Sequence, residues 1–218
     1  MTGGACLIVG ACPQAGAEEF YRTLLGEYPT VVAADAAGEW CADLGRVPDA
    51  VIGDFDSSRD GALARLSALD VEVVRLPVAK NESDLDACLS FARHSGVEAV
   101  DFCAAFVGRP DHTLAAFGTL LAAADLKACV REPDWSAWAL DAASRPLLEL
   151  DLAAGTTFSV LSPGGAKCVS IEGATFPLSH AALPGLSSLG VSNVAVGGTV
   201  RVAVETGAVL VLVVCAHG

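Results

Sequence analysis

Short apolar runs alternate with amphipathic stretches over the first 132 residues. The runs are rich in Val, Ile and Leu and predict strands over 5–10, 30–34, 49–53, 71–76, 98–104 and 126–132. The intervening patterns predict helices over 16–25, 58–69, 83–94 and 111–124. Strands that alternate with helices indicate parallel β-α-β units with helices on both faces of one sheet. Ligands of such sheets bind at the carboxyl ends of the strands.

The pattern changes after residues 134–146. From Leu147 onward short β-like runs are separated by Gly, Pro, Ser and Asn, and no helical period is present. We therefore predict an α/β N-terminal domain with a mainly parallel, Rossmann-like sheet, followed by a smaller all-β sandwich domain. The predicted boundary gives domains 1–142 and 143–218.

Composition indicates a protein of the cytoplasm. The chain has 218 residues, 53% of them hydrophobic, yet its longest apolar C-terminal run, GAVLVLVVCA, is too short to span a bilayer. The N-terminus lacks the basic segment of a secretory signal. Eight scattered cysteines form no C-x-x-C pair, and we interpret them as reduced core residues rather than disulfides or zinc ligands.

The formal net charge of -13 limits the partners. Nucleic acid is excluded, because phosphate contacts need clustered Lys and Arg. An anionic substrate would need a bridging cation or a few well-placed basic groups.

Two clusters of polar residues follow predicted strands in the first half of the chain. Asp54 and Asp56 come after the strand over 49–53 and can share a hard cation such as Mg²⁺, although a solvated turn explains them as well. In the second cluster, Ser83 and Asp86 form a capping-box pattern at the start of a helix. Capping does not explain Asp84. Lys80 could reach a phosphate or be a solvated loop lysine.

A third cluster follows the strand over 98–104. Arg109 offers a planar fork for phosphate, a helix begins near Asp111, and His112 can hydrogen-bond a substrate, although each also suits a structural role. Asp35 follows the strand over 30–34. Because carboxyl ends of parallel strands meet at one edge, the clusters together predict a metal-dependent phosphate site. The sequence contains no G-x-x-x-x-G-K-[ST] phosphate loop.

In order and spacing, PDAVIGDFDS (48–57), NESDLDACLSFA (81–92) and GRPDHTLA (108–115) resemble the thiamine pyrophosphokinase family, also called thiamine diphosphokinase. The stretch IEGATFPLSHAALPGLSSLGVSN (171–193) resembles that family's second domain. The resemblance implies a homodimer with each active site between two subunits. It also implies Mg²⁺-dependent transfer of the pyrophosphoryl group of ATP to the thiamine hydroxyl, with release of AMP.

Position by position, the resemblance implies roles for individual residues. The catalytic and metal-binding carboxylates would be Asp54, Asp56 and Asp84. The ATP-binding residues would be Asp35, Lys80, Ser83, Arg109, Asp111 and His112. Ser192 and Asn193 would lie near the thiamine.

Four positions depart from the family pattern. Ala36 and Ala37 replace two glycines after Asp35, Val107 replaces a glycine, and Ala116 replaces an asparagine. These departures leave open a pyrophosphokinase for another heterocyclic alcohol, such as a hydroxymethyl pterin, or a thiamine- or nucleotide-binding protein without catalysis. The general base also stays open between a carboxylate of the cluster and a metal-bound hydroxide.

Overall fold

A computed structural model describes residues 4–55, 61–69, 71–79 and 81–215. Two predicted site residues, Asp56 and Lys80, lie outside the described residues, as does the start of the helix predicted over 58–69. The chain divides into two compact units, Met1–Thr119 and Leu120–Gly218. This division lies before the domain boundary that we predict after residue 142, and that boundary stays a prediction.

Five parallel strands form the sheet of the first unit: β1 (Ala5–Val9), β2 (Thr30–Ala34), β3 (Ala50–Gly53), β4 (Glu72–Arg75) and β5 (Ala99–Cys103). Their order is β4-β3-β2-β1-β5, and neighbours pair in parallel. The order reverses between β1 and β5, the point at which sheets of this kind bind ligands. The five predicted strands are confirmed.

Five helices connect or follow these strands: α1 (Glu18–Glu27), α2 (Ala37–Asp43), α3 (Ala62–Ala68), α4 (Asp84–His94) and α5 (Pro110–Ala122). The sequence pattern predicts four of them and misses α2. Helix α2 is missed for two reasons: it has only seven residues, and no side chain caps its start.

The central strands are buried on both faces. Every residue of β3 is buried, and so are four of the five residues of β1 and of β2. Burial on both faces is why they read as continuous apolar runs rather than alternating ones. From α1, Tyr21, Leu24 and Leu25 complete the core on one face.

Up to residue 215, the last that the structure describes, the second unit contains nine strands, which pair antiparallel in two layers. They are β6 (Cys129–Arg131), β7 (Trp135–Asp141), β8 (Leu147–Leu152), β9 (Thr157–Leu161), β10 (Ala166–Glu172), β11 (Leu178–Leu183), β12 (Asn193–Val194), β13 (Gly198–Thr206) and β14 (Ala208–Val214). The orders are β6-β7-β14-β9-β12 and β11-β10-β13-β8. Phe158 and Val211 of one sheet share a core with Ile171 and Val202 of the other. The predicted β-sandwich is therefore confirmed.

The strand predicted over 126–132 needs a correction. It exists as β6, but it pairs antiparallel with β7 and falls in the second unit. Only three residues connect β6 to β7, too few for a crossover to a parallel neighbour. The sequence analysis predicts no strand within residues 134–146, but this segment contains β7.

The cysteines are mostly small core residues, as predicted. Five of the eight are buried, and none forms a disulfide. Burial raises the pKa of the Cys6 and Cys41 thiols to about 12, so that these groups stay protonated at neutral pH. Across the described residues, no helix is both long enough and apolar enough to cross a membrane.

Candidate active site

Left-handed backbone marks the carboxyl edge of the parallel sheet. In the described part of the first unit, Asp35, Phe55 and Ala104 are the non-glycine residues with positive φ, at +46°, +62° and +54°. Asp35 and Ala104 directly follow β2 and β5, and Phe55 lies two residues after β3. Such conformations cost roughly 1–3 kcal/mol each and persist where the surroundings enforce them, often at functional sites.

Asp35 is held against the end of β3. Its backbone N–H donates to the Ile52 carbonyl at 2.9 Å. A Cβ added to Gly53 would lie 2.9 Å from both Cα and Cβ of Asp35, so that no larger residue fits at position 53 without a shift. Asp35 is only 7% exposed. The sheet thus holds the backbone of Asp35 against Gly53, the residue before Asp54.

Asp84 occupies the first position of α4, which follows β4 and packs against β1, β2 and β3. A helix that follows a parallel strand starts near that strand's carboxyl end, so Asp84 approaches the same edge. Asp84 is half-buried, and its charge contributes, after burial, to the raised pKa of the Cys88 thiol.

Ser83 and Asp86 form the predicted capping box. The Ser83 hydroxyl accepts from the Asp86 N–H at 3.1 Å, and the Asp86 carboxylate accepts from the Ser83 N–H at 3.2 Å. The other Asp86 oxygen accepts from the buried Thr119 hydroxyl at 2.5 Å. This network fixes the start of α4, and through it the position of Asp84.

At the start of α5, Arg109 and Asp111 form a bidentate ion pair. The Arg109 Nη2 lies 2.7 Å from Asp111 Oδ2, and its Nε lies 3.2 Å from Oδ1. The hydrogen bond from Arg109 lowers the pKa of the Asp111 carboxyl from 3.8 to about 2. Both side chains and His112 are exposed, so that this helix start presents a cation to solvent.

A cavity of about 250 Å³ begins at the residue after Asp35. Its walls come from the loop after β1 and from α2: Ala11, Pro13, Ala36, Ala37, Glu39, Trp40 and Asp43. Glu39 is 8% exposed, and Arg65 lies 3.8 Å from its carboxylate and 2.6 Å from that of Asp43. The sequence analysis misses Glu39, Trp40 and Asp43 because it misses α2.

The two alanines after Asp35 fit their backbone. Ala36 has φ -60° and ψ -17°, and Ala37 is the first residue of α2. The positive φ of this turn falls on Asp35 instead. The absence of glycine at 36 and 37 therefore strains nothing. Both alanines line the cavity, and Ala37 also belongs to the buried core.

In the second unit, Asn193 is buried and its amide is engaged. Asn193 Oδ1 accepts from the Phe176 N–H at 3.0 Å, and Nδ2 donates to the Phe176 carbonyl at 2.7 Å. The neighbouring Ser192 is exposed, with a positive φ of +57°. Asn193 therefore shapes the loop around Phe176, and Ser192 offers the accessible hydroxyl.

A family model described as the thiamin pyrophosphokinase catalytic domain matches residues 21–130. The chain belongs to the thiamin pyrophosphokinase family. Members of this family are enzymes, and the matched segment includes the Asp35–Gly53 contact, Asp84 and the start of α5. No curated protein sequence matches the chain.

Solved structures of family members share the fold. The thiamine pyrophosphokinase from Bacillus subtilis has a TM-score of 0.79 at 18% identity, over 98% of this chain and 100% of that one. The enzyme from Geobacillus thermodenitrificans gives 0.80 at 19% identity, over 98% and 99% of the two chains. The yeast enzyme gives 0.78 at 13% identity, over 98% and 87%.

We predict that Gly53→Ala destabilises the first unit and weakens activity, because the new methyl group meets the backbone of Asp35. Overpacking of this kind costs about 1–3 kcal/mol. Chemical denaturation measures the loss. Gly118→Ala in α5 is the matched control, because a Cβ there meets nothing within 4 Å and alanine favours a helix. Equal stability of the two variants would contradict the close approach.

We predict that the Asp111 carboxyl titrates at a lower pH than an ordinary aspartate, because Arg109 pairs with it. Since the folded-state pKa of Asp111 lies below its ordinary value of 3.8, the pair stabilises the fold above about pH 4, and this contribution is lost as the pH falls towards 2. Carboxyl-carbon NMR should give a midpoint near 2. Arg109→Gln should raise the pKa of Asp111 towards 3.8, because the largest cause of its lowering is removed, and Arg22→Gln should leave it unchanged. A midpoint near 3.8 in the unmodified protein would show that the pair does not form in solution.

Proposed function

We propose that the chain transfers the pyrophosphoryl group of ATP to the hydroxyl of thiamine, giving thiamine diphosphate and AMP, with Mg²⁺ as the cofactor. The observation that carries the proposal is the Asp35–Gly53 contact, which brings the residue after β2 against the residue before Asp54 at the carboxyl edge of the sheet, in a member of this family.

The donor set at this edge fits Mg²⁺. Asp35, Asp54 and Asp84 offer carboxylate oxygens, the hard ligands that Mg²⁺ prefers, and Asp56 would join them from outside the described residues. Asp54, Asp56 and Asp84 would hold the ion, and Asp35 would help to place the phosphates. When bound, Mg²⁺ would neutralise phosphate charge that a chain of net charge -13 would otherwise repel.

The remaining residues bind and orient ATP. The cavity between the β1 loop and α2 would take the nucleoside, with the half-exposed Trp40 as an apolar wall. Arg109, at the exposed start of α5, would exchange part of its pairing with Asp111 for a phosphate oxygen. Asp111 would keep the guanidinium in place, and His112 would donate a hydrogen bond. Lys80 and the Ser83 hydroxyl complete the proposed ATP contacts.

The chemistry is an in-line displacement. The thiamine hydroxyl oxygen attacks the β-phosphorus, a new O–P bond forms, and the bond from the β-phosphorus to the α-β bridging oxygen breaks. The electron pair of that bond leaves with AMP, and the hydroxyl proton passes to a carboxylate of the edge. Most of the rate comes from positioning and from electrostatic stabilisation by preorganised groups.

A second copy of the chain would complete the thiamine site. Five large apolar side chains are exposed near Ser192: Phe176, Leu186, Leu189, Val191 and Val196. Exposed large apolar side chains that lie together favour a protein interface, and we propose that these five contribute to one. Covering it in a homodimer would bring Ser192 to the partner's active site, with Asn193 holding the loop. Sedimentation velocity would show a dimer, and a monomer at assay concentrations would contradict this arrangement.

The proposed activity belongs in a reducing compartment. All eight cysteines are thiols, which suits the cytoplasm.

We predict that Asp54→Asn lowers AMP release from ATP, Mg²⁺ and thiamine by about 10²–10³-fold, because it removes a charge that organises the phosphates. The assay measures AMP and thiamine diphosphate together. Glu98→Gln is the matched control: its carboxylate is exposed just before β5, at the opposite edge of the sheet, and activity should be unchanged.

Three outcomes would contradict the proposal. Near-normal turnover by Asp54→Asn would show that the Asp54 carboxylate is not needed for catalysis. Turnover with a hydroxymethyl pterin but not with thiamine would overturn the acceptor. Tight binding of ATP and thiamine by calorimetry, with no AMP formed, would identify a binding protein instead of an enzyme.

A further inference from the structure

Three side chains with metal-binding chemistry meet on the outer face of the second unit. Cys168 of β10, His180 of β11 and Glu205 of β13 place a thiol sulfur, a ring nitrogen and a carboxylate oxygen within 4.8 Å of one another. We call these three residues the outer-face cluster. The proposed phosphoryl-transfer chemistry uses none of them.

The strand register explains how they meet. Residues on β10 and β13 pair so that Lys167 faces Thr206 and Val169 faces Val204, which sets Cys168 opposite Glu205. Val169 and Val204 are buried in the sandwich core. Since neighbouring residues of a strand point to opposite faces, Cys168 and Glu205 point outward.

Two compensating bulges bring His180 to the same place. Between the pairs Ala166–Leu183 and Val169–Ala181, β10 has one residue more than β11, and between Val169–Ala181 and Ile171–Leu178, β11 has one more. Cys168 and His180 lie in these bulges, with φ of +53° and +46°. The His180 Nδ1 lies 3.0 Å from the Glu205 carboxylate.

The identity of the bulge residues points to a ligand. Glycine adopts a positive φ without steric cost and is the common residue at such bulges. Here the two strained positions carry a cysteine and a histidine. An ion pair with Glu205 would explain His180 but leaves the cysteine beside it without a reason.

The donor set selects the ion. Thiolate, imidazole and carboxylate together suit Zn²⁺, whereas Mg²⁺ prefers oxygen ligands alone. With Zn–S about 2.3 Å and Zn–N and Zn–O about 2.0–2.2 Å, ligand atoms on a tetrahedral ion lie roughly 3.3–3.6 Å apart. The three ligand atoms, all within 4.8 Å of one another, lie close to this spacing.

We propose that the outer-face cluster binds Zn²⁺ through Cys168, His180 and Glu205, with water in the fourth position. The ion would join three neighbouring strands and pin β11, the edge strand of its sheet, across its bulge. This site is independent of the proposed activity, and its test measures metal binding rather than turnover.

The test titrates Co²⁺, a spectroscopic substitute for Zn²⁺, into the full chain and records thiolate-to-metal charge-transfer absorbance. The unmodified protein should give the band at one equivalent, and Zn²⁺ should abolish it. Cys168→Ser should remove the band and His180→Ala should weaken Co²⁺ binding at least tenfold. The controls Cys215→Ser, an exposed cysteine, and His94→Ala, an exposed histidine, should retain it.

Alkylation of the unmodified protein gives a second readout that needs no variant. Zn²⁺ should protect Cys168 from iodoacetamide, Mg²⁺ should not, and the exposed Cys12 and Cys215 should react equally with or without metal. Absence of the charge-transfer band, its survival in Cys168→Ser, or labelling of Cys168 that Zn²⁺ does not change would overturn the proposal.

Discussion

The close approach of Asp35 to Gly53 is the constraint on which the candidate site depends. Two neighbouring parallel strands end side by side, and the backbone of one passes so near the other that only glycine fits at the point of contact. The contact holds the buried Asp35 against the residue before Asp54, and the chain continues from Asp35 into α2, which forms part of the cavity wall. Carboxylate placement and cavity shape therefore have one origin.

The strained residues at this edge of the sheet follow strands that are packed in the core. Three non-glycine residues after the parallel strands adopt positive φ, while the strands before them are almost wholly buried. The tightly packed core beneath these residues enforces their left-handed conformations. These conformations in turn set the directions of the side chains at the edge of the sheet. At the topological switch point, the Cys12 N–H donates to the Ala104 carbonyl at 2.7 Å, so that the loops after β1 and β5 are tied together.

Much of this arrangement could be predicted from the sequence, for physical reasons that differ between elements. The strand over 30–34 is predicted at its observed bounds because Pro29 and Asp35 flank its apolar run. Ser83 marks the start of α4 because its capping box is a local pattern. Helix α2 and its cavity could not be predicted, since tertiary packing against β3 stabilises seven residues that carry no cap. The left-handed turn at Asp35 arises from strand pairing, which no local pattern records, and the antiparallel pairing of β6 depends on a partner strand in a segment without a strand pattern.

Electrostatics decides whether the edge can do chemistry. A chain of net charge -13 repels ATP unless positive charge lies at the site, and the exposed Arg109 is already paired with Asp111. A divalent ion held by carboxylates of this edge, as proposed, would resolve this conflict. Whether carboxylates of this edge bind the divalent ion is tested most directly by anomalous diffraction from crystals grown with Mn²⁺, thiamine and a non-hydrolysable ATP analogue. A manganese peak roughly 2.1 Å from carboxylate oxygens of Asp54 and its neighbours is expected. Manganese bound to the phosphates with no carboxylate of this edge in its coordination shell would contradict it.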